Sequence, residues 1–359
     1  MFRRTDHPGR ALSERVHLLM ARPPLLFKEG TIPCSANIFM KVGVLLFNLG
    51  GPEKLEDVKP FLYRLFSDPE IIRVKWAPLR KALAYAIATI RHKTSEGYYS
   101  QIGGGSPLRR LTEEQARALA QELESRGKDA QTFVGMCTWH PFLDEAIEKI
   151  EKSDVASLVI LPLFPQYSVT TTGSGFSVLR RLINAHPSFQ KKNVQWISSW
   201  PDQPTYVQSF AQAIERELSK FSNPNGVHIL FSAHSIPESY VRGGDPYLDQ
   251  TKKTVELIMD KLDRKNPYQL SFQSKIGPVK WLEPFTSDVI TQLGKQGITD
   301  VLVVPISFVS EHIETLYELD ILFQKIAREA GVTNFRRVPA LNSDPTFIRA
   351  LAEIVESTL

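Results

Sequence analysis

Three things are scarce in this 359-residue chain, and each scarcity closes off a class of function. Cysteine occurs only at Cys34 and Cys137, with no C-x-x-C and no Cys/His spacing suited to structural zinc. A disulfide scaffold and a zinc module are therefore excluded, and a reducing compartment such as the cytoplasm is the simplest setting. No apolar run approaches the ~18 residues needed to span a bilayer; the longest runs from Val301 to Val309. Charge of one sign is lacking too. The 43 basic residues nearly balance the 39 acidic ones, for a net charge of +4, so no basic stripe for nucleic acid is expected.

What remains is a globular composition. The chain is 42% apolar and 23% charged, without a low-complexity tract, and its length suffices to bury a large core and divide into two domains. The first 40 residues stand apart. Met1 to Asn37 is rich in Arg and Pro and lacks an apolar signal region with a cleavage site. Met40 directly precedes the first strand-like run. Residues 1–39 are read as a disordered extension or a mis-assigned start, with an organelle presequence as the alternative.

From residue 41 onward, short Val/Ile/Leu runs alternate with helix-period segments. Strands are expected at Val42 to Phe47, Gln131 to Val134, Leu158 to Leu161, Val194 to Ile197, Val227 to Phe231, Tyr268 to Gln273 and Val301 to Val304. Continuous rather than alternating apolar runs indicate strands buried on both faces, as in parallel sheets. The βα rhythm predicts an α/β protein built of two similar doubly wound, Rossmann-like halves. The joint falls near Ser198 to Pro204, giving halves at 41–199 and 200–340. A last helix in 341–359, from Pro345, is free to return to the first half.

Ligands of open parallel sheets sit at the carboxyl ends of the strands. His234 follows one such strand, in Phe231-Ser232-Ala233-His234-Ser235-Ile236-Pro237. An acidic helix start, Ser310-Glu311-His312-Ile313-Glu314-Thr315-Leu316-Tyr317-Glu318, follows another. Small neighbours leave space above the imidazole, although a histidine at a strand end is also often an ordinary hydrogen-bonded core residue. In an α-helix Glu311, Glu314 and Glu318 share one face. That face is equally suited to a ligand or to solvent. Together, an imidazole and carboxylates suit moving protons off a ligand while handling a divalent metal.

Glycine runs at Asn48-Leu49-Gly50-Gly51-Pro52 and Gln101-Ile102-Gly103-Gly104-Gly105-Ser106-Pro107 allow close backbone approach. Neither has dinucleotide-binding or Walker spacing. Thr170-Thr171-Thr172-Gly173-Ser174-Gly175 opens a helix, as an anion site or a plain N-cap. A serine-hydrolase reading of Ser106 or Ser232 with His234 fails, because the G-x-S-x-G elbow is absent from both places.

These segments, with Phe164-Pro165-Gln166-Tyr167-Ser168 and Gln273-Ser274-Lys275-Ile276-Gly277-Pro278, closely resemble ferrochelatases over residues 41 to 359. The wording of Gln273 to Trp281 and Asn334 to Asn342 is similar to the cyanobacterial and plastid branch. The resemblance implies the chelatase fold, with a porphyrin cleft between the halves, and insertion of Fe(II) into protoporphyrin IX, the last step of haem synthesis. It assigns proton acceptance or metal contact to His234, a partner role across the cleft to Glu314, and a path for protons or iron to Glu318. Glu311 and His312 would support that face. Leu49, Trp200, Trp281 and Phe308 would line or brace the macrocycle, and Arg91, Tyr99 and Ser106 would hold its carboxylates. The apolar stretch Leu79 to Ile90 would form a cleft lip able to touch a membrane.

The resemblance implies no permanent cofactor, Fe(II) being a substrate. No cysteine follows Cys137, so the iron–sulfur cluster of some relatives is not expected, nor is the C-terminal membrane helix of some photosynthetic ones. One departure stands out. Where close relatives read Met-Arg-Tyr-Trp-His-Pro, this chain reads Met136-Cys137-Thr138-Trp139-His140-Pro141. A guanidinium is a fixed multi-donor charge that neither new residue imitates. Two alternatives therefore stay open: a non-catalytic tetrapyrrole-binding or carrier protein, and a chelatase using coproporphyrin or another divalent metal.

Overall fold

Among the described residues, eight strands pair in two separate four-stranded parallel sheets of identical winding. The computed structural model describes residues 41–277 and 279–359; the expectation for residues 1–39 lies outside the described residues. The strands of the first sheet are β1 (Val42–Asn48), β2 (Ala130–Met136), β3 (Ser157–Pro162) and β4 (Asn193–Trp196), in the order β2-β1-β3-β4. Those of the second are β5 (His228–His234), β6 (Tyr268–Gln273), β7 (Asp300–Pro305) and β8 (Asn334–Arg337), in the order β6-β5-β7-β8. Leu45 lies beside Phe133 and Ile160, and Phe231 beside Leu270 and Val304.

The helices are α1 (Val58–Ser67), α2 (Ala77–Ser100), α3 (Leu108–Ser125), α4 (Leu143–Glu151), α5 (Ser174–Ala185) and α6 (Pro204–Leu218). They continue with α7 (Glu238–Arg242), α8 (Tyr247–Leu262), α9 (Thr286–Lys295), α10 (Gln324–Ala330) and α11 (Pro345–Glu356). A π-helix, Glu314–Phe323, runs directly into α10. The central strands explain the apolar runs: every residue of β1 is buried, and each fully buried Val, Leu, Ile or Phe is worth about 1.5–3 kcal/mol. One apolar cluster takes Val44 and Val159 from the first sheet, Phe231 and Val304 from the second, and Phe347 from α11. The halves thus share a core. Helix α11 packs on α3 and α6, where Arg126 reaches Glu356 at 2.9 Å and Gln203 reaches Glu353 at 2.8 Å.

Three elements differ from expectation. Strand β8 is a half-buried edge of sequence Asn-Phe-Arg-Arg, too polar and short to register as an apolar run. The lip stretch Leu79 to Ile90 lies inside the 24-residue helix α2; its apolar side chains point both inward and outward, which blurs the helical period. The acidic helix start, read as α-helical, is π-helical from Glu314, and that changes which carboxylates meet.

Candidate active site

His234 ends β5, where the ladder stops and its side chain, 36% exposed, stands at the carboxyl edge of the sheet. Its Nδ1 lies 2.8 Å from Glu314 Oε2, on the first residue of the π-helix. An ionised carboxylate at that distance fixes Nδ1 as the protonated ring nitrogen. Nε2 is thereby left with a free lone pair, and it has no partner among the described residues. Burial opposes charging the ring, but the Glu314 carboxylate overcomes it, and with Glu318 holds His234 above its ordinary value.

Glu314 and Glu318 are four residues apart, close to one turn of a π-helix, whose hydrogen bonds run i to i+5. Burial disfavours both anions. For Glu314 the facing His234 outweighs burial, with help from His312 and the Ser274 hydroxyl, and holds it down at about 2. For Glu318 burial and the neighbouring Glu314 charge act together and push it up to about 7. Two like charges this close share their protons unequally. Of the pair, Glu314 is the carboxyl that ionises readily and Glu318 the one that keeps its proton longer.

The loop after β6 holds this pair. Ser274 Oγ lies 2.8 Å from Glu314 Oε2 and also contacts Glu318 Oε2, while its N–H donates to Glu318 Oε1 at 3.0 Å. Gln273, almost fully buried, donates to the Glu314 carbonyl at 3.1 Å and to Glu318 Oε2 at 3.2 Å. The His234 backbone is bracketed as well: its N–H donates to Ser307 Oγ at 3.2 Å, and Tyr247 donates its hydroxyl to the His234 carbonyl at 2.8 Å. Gln273, Ser274, Tyr247 and Ser307 were absent from the sequence-derived site. The first two lay inside a quoted motif; for Tyr247 and Ser307 the spacing carried no signal.

Phe308 forms the aromatic wall, edge-on to His234 at 6.3 Å and tilted against His312 at 4.3 Å. Burial keeps His312 below its ordinary value despite nearby Glu314 and Glu311, and its Nδ1 has no partner. Glu311 does not share the Glu314 and Glu318 face. It lies before the helix, its Oε1 taken by Arg337 at 2.8 Å and by the Ala340 N–H at 2.9 Å. The three-carboxylate stripe is therefore a pair. Among the described residues no three His, Cys, Asp or Glu side chains form a ready metal cage.

The residues assigned to the macrocycle divide. Leu49 and Trp281 are half-buried; the Leu49 carbonyl accepts from Thr138 Oγ1 at 2.6 Å, and Trp281 donates to the Ile276 carbonyl at 3.0 Å. Trp200 does not line the cleft. It is 4% exposed, donates to the Pro162 carbonyl at 3.0 Å and packs edge-on to Tyr206 at 4.9 Å, as part of the shared core. Tyr99 is buried close enough to Glu314 for burial, aided by that charge, to raise its phenol. Arg91, on α2, makes no ion pair among the described residues. Tyr98 of α2 stacks on Tyr317 of the π-helix at 4.3 Å, joining the first half to the second beside the site.

Ser106 and Glu311 line a separate cavity of about 510 Å³ with Glu53, Arg110, Leu316 and Asn342, which His234, Glu314 and Glu318 do not reach. The glycine runs pack against each other: a Cβ on Gly51 would stand 2.7 Å from Ser106 Cβ, and one on Gly105 2.1 Å from the Glu53 carbonyl. The threonine-rich segment proves to be internally capped, since Asp245 Oδ2 accepts from Val169 N at 2.8 Å and Ser168 Oγ at 2.9 Å. Cys137 is packed among apolar side chains, and burial pushes its thiol up to about 12.

Comparison with known proteins identifies the family of the chain. The ferrochelatase family profile matches residues 41–359. The ferrochelatase of Synechocystis sp. is 54% identical over 320 residues, which is 89% of this chain and 83% of the relative. That of Nostoc sp. is 53% identical over 89% of this chain and 82% of its own. Among solved structures, SirB from Bacillus subtilis with Fe3+ aligns with a TM-score of 0.53 at 14% identity, over 89% of this chain and 96% of that one. At that identity the likeness shows the fold alone. With the profile spanning every strand and helix described above, the chain belongs to the ferrochelatase family.

Proposed function

We propose that this chain is a lyase that inserts Fe(II) into protoporphyrin IX, forming protohaem and releasing two protons in haem biosynthesis. The observation that carries this reading is His234: an accessible Nε2 lone pair on a ring whose Nδ1 is held by an ionised, buried Glu314. Metallation requires each of two pyrrole N–H bonds to give up its proton as iron arrives. An imidazole is the natural acceptor near neutral pH, and Glu314 stabilises the imidazolium that forms. Glu318 lies next in line through Ser274, so protons leave along that side as iron is bound. Imidazole and carboxylate ligate Fe(II) without the grip of thiolates, which suits a metal that is substrate and must be passed on. Phe308, Leu49 and Trp281 supply the apolar walls, and Arg91 and Tyr99 the contacts to the porphyrin carboxylates. No permanent cofactor takes part.

No helix of the described residues is long and apolar enough to cross a membrane. Helix α2 nevertheless exposes Trp76 before its first turn, then Leu79, Leu83 and Ile90, with exposed Lys75, Lys81 and Lys93 around them. We place the protein in the cytoplasm with this lip against a membrane surface.

The carrier reading rests on Cys137 and Thr138. Their N–H groups donate to the Asn48 and Leu49 carbonyls, each at 2.9 Å. The departure therefore lies directly under the proposed porphyrin wall. Metal insertion by the wild-type chain, lost in His234→Ala while porphyrin still binds, decides between the two.

A further inference from the structure

Three non-glycine residues among those described have positive φ: Asp263 at 48°, Asn342 at 46° and Ser274 at 67°. Asp and Asn tolerate this left-handed region through local hydrogen bonds of their short side chains. Serine has no such standing, and glycine is the relaxed choice there. Ser274 is also the residue whose backbone and side chain both address the paired carboxylates. Its N–H donates to Glu318 Oε1 at 3.0 Å, and its hydroxyl stands between Glu314 Oε2, at 2.8 Å, and Glu318 Oε2. Strained backbone geometry persists where surrounding contacts over-determine it, and it clusters at functional sites.

The surrounding contacts are present. Ser274 follows the last residue of β6, Gln273, whose Oε1 accepts from the buried Ser232 Oγ at 2.6 Å. Ser232 in turn contacts Thr286 Oγ1 at 2.7 Å. A buried polar chain from β5 and α9 thus fixes the end of β6, and the chain must turn left-handed there to bring a hydroxyl onto the π-helix. With Gln273 held, an extended φ at Ser274 would leave its N–H in place but swing Cβ, and with it Oγ, to a different position. A glycine would make the turn without supplying the hydroxyl.

We infer that Ser274 is a positioning residue for metal insertion: its left-handed backbone places one hydroxyl between Glu314 and Glu318, holding both carboxylates toward His234. The inference rests on the chelatase reading and adds a group that touches neither porphyrin nor iron. One hydroxyl proton serves one oxygen at a time. When Glu314 engages the imidazole or the metal, the hydroxyl turns to Glu318 and keeps that carboxyl in place, and the reverse exchange restores the starting arrangement.

The test compares Ser274→Gly and Ser274→Ala in the full chain, with Fe(II) and protoporphyrin under anaerobic conditions, and records thermal unfolding alongside. Ser274→Gly removes the hydroxyl and relieves the backbone. Its unfolding midpoint is expected at or above that of the wild type, with kcat down about tenfold or more and KM for porphyrin within twofold. Ser274→Ala is expected to lose the same kcat despite its strained backbone, because the loss follows the hydroxyl. Turnover of Ser274→Gly within twofold of wild type, or a loss confined to Ser274→Ala, would overturn the role. A wild-type chain that binds porphyrin and metallates none removes the chelatase reading itself, whereas wild-type turnover matched by Ser274→Gly removes only Ser274.

Discussion

Glu314 and Glu318, four residues apart on one π-helix and both in contact with the Ser274 hydroxyl, ionise on opposite sides of the ordinary carboxylate range. The difference comes from what each faces. Glu314 meets an imidazole, and Glu318 meets Glu314.

This asymmetry fixes the sign of a pH effect. His234 must be unprotonated at Nε2 to accept a pyrrole proton, so kcat/KM rises with pH through the His234 pKa, which Glu314 holds above 6.5. In Glu314→Gln the imidazolium loses its partner and burial acts unopposed by it. The acidic limb of the profile should then move to lower pH while the maximal rate falls, by about 10²-fold or more for a lost charge-stabilising partner. An acidic limb that stays in place would remove Glu314 from this role.

Arg337 ties the segment before the π-helix to the helix itself. It forks onto Asp320 at 2.6 and 2.7 Å and reaches Glu311 at 2.8 Å. Arg337→Ala leaves the Glu311 carboxylate buried without its counter-charge. The expected loss is about 3–5 kcal/mol, read from the denaturant midpoint. A loss below about 1 kcal/mol, the scale of exposed pairs, would contradict this account.

Cys137 and Thr138 offer a direct test of the departure from close relatives. The double change Cys137→Arg, Thr138→Tyr is expected to raise kcat if the wild-type pair weakens the porphyrin wall at Leu49. An unchanged kcat and an unchanged KM for porphyrin would mean that the remaining contacts compensate.

The exposed face of α2 gives a fourth prediction. The wild-type chain should co-sediment with phosphatidylglycerol vesicles, and Leu79→Glu with Leu83→Glu should release it, because each carboxylate opposes both apolar insertion and the anionic surface. Equal sedimentation of the two proteins would remove the membrane role of the lip.

Much of the fold was legible because central parallel strands read as unbroken apolar runs: Val42 to Phe47, Leu158 to Leu161 and Val301 to Val304 fall inside β1, β3 and β7. Strand β8 was not legible, since an edge strand packed on one side can be Asn-Phe-Arg-Arg. The same limit applies at the site. His234 and Glu314 follow strand ends and could be read from position. The parting of Glu311 from the acidic stripe depends on a π-helix and on Arg337, 26 residues later. Trp200 carried the right residue type for a cleft wall, yet Tyr206 and Phe347 enclose it in the core. Ser274 needed a backbone angle that no periodicity encodes.

The central claim is that His234 takes the pyrrole protons. Its most direct test is anaerobic incubation of wild-type and His234→Ala proteins with Fe(II) and protoporphyrin, following porphyrin fluorescence. The account predicts loss of fluorescence with time for the wild type only, with porphyrin bound equally by both. Metallation by His234→Ala near the wild-type rate would contradict it.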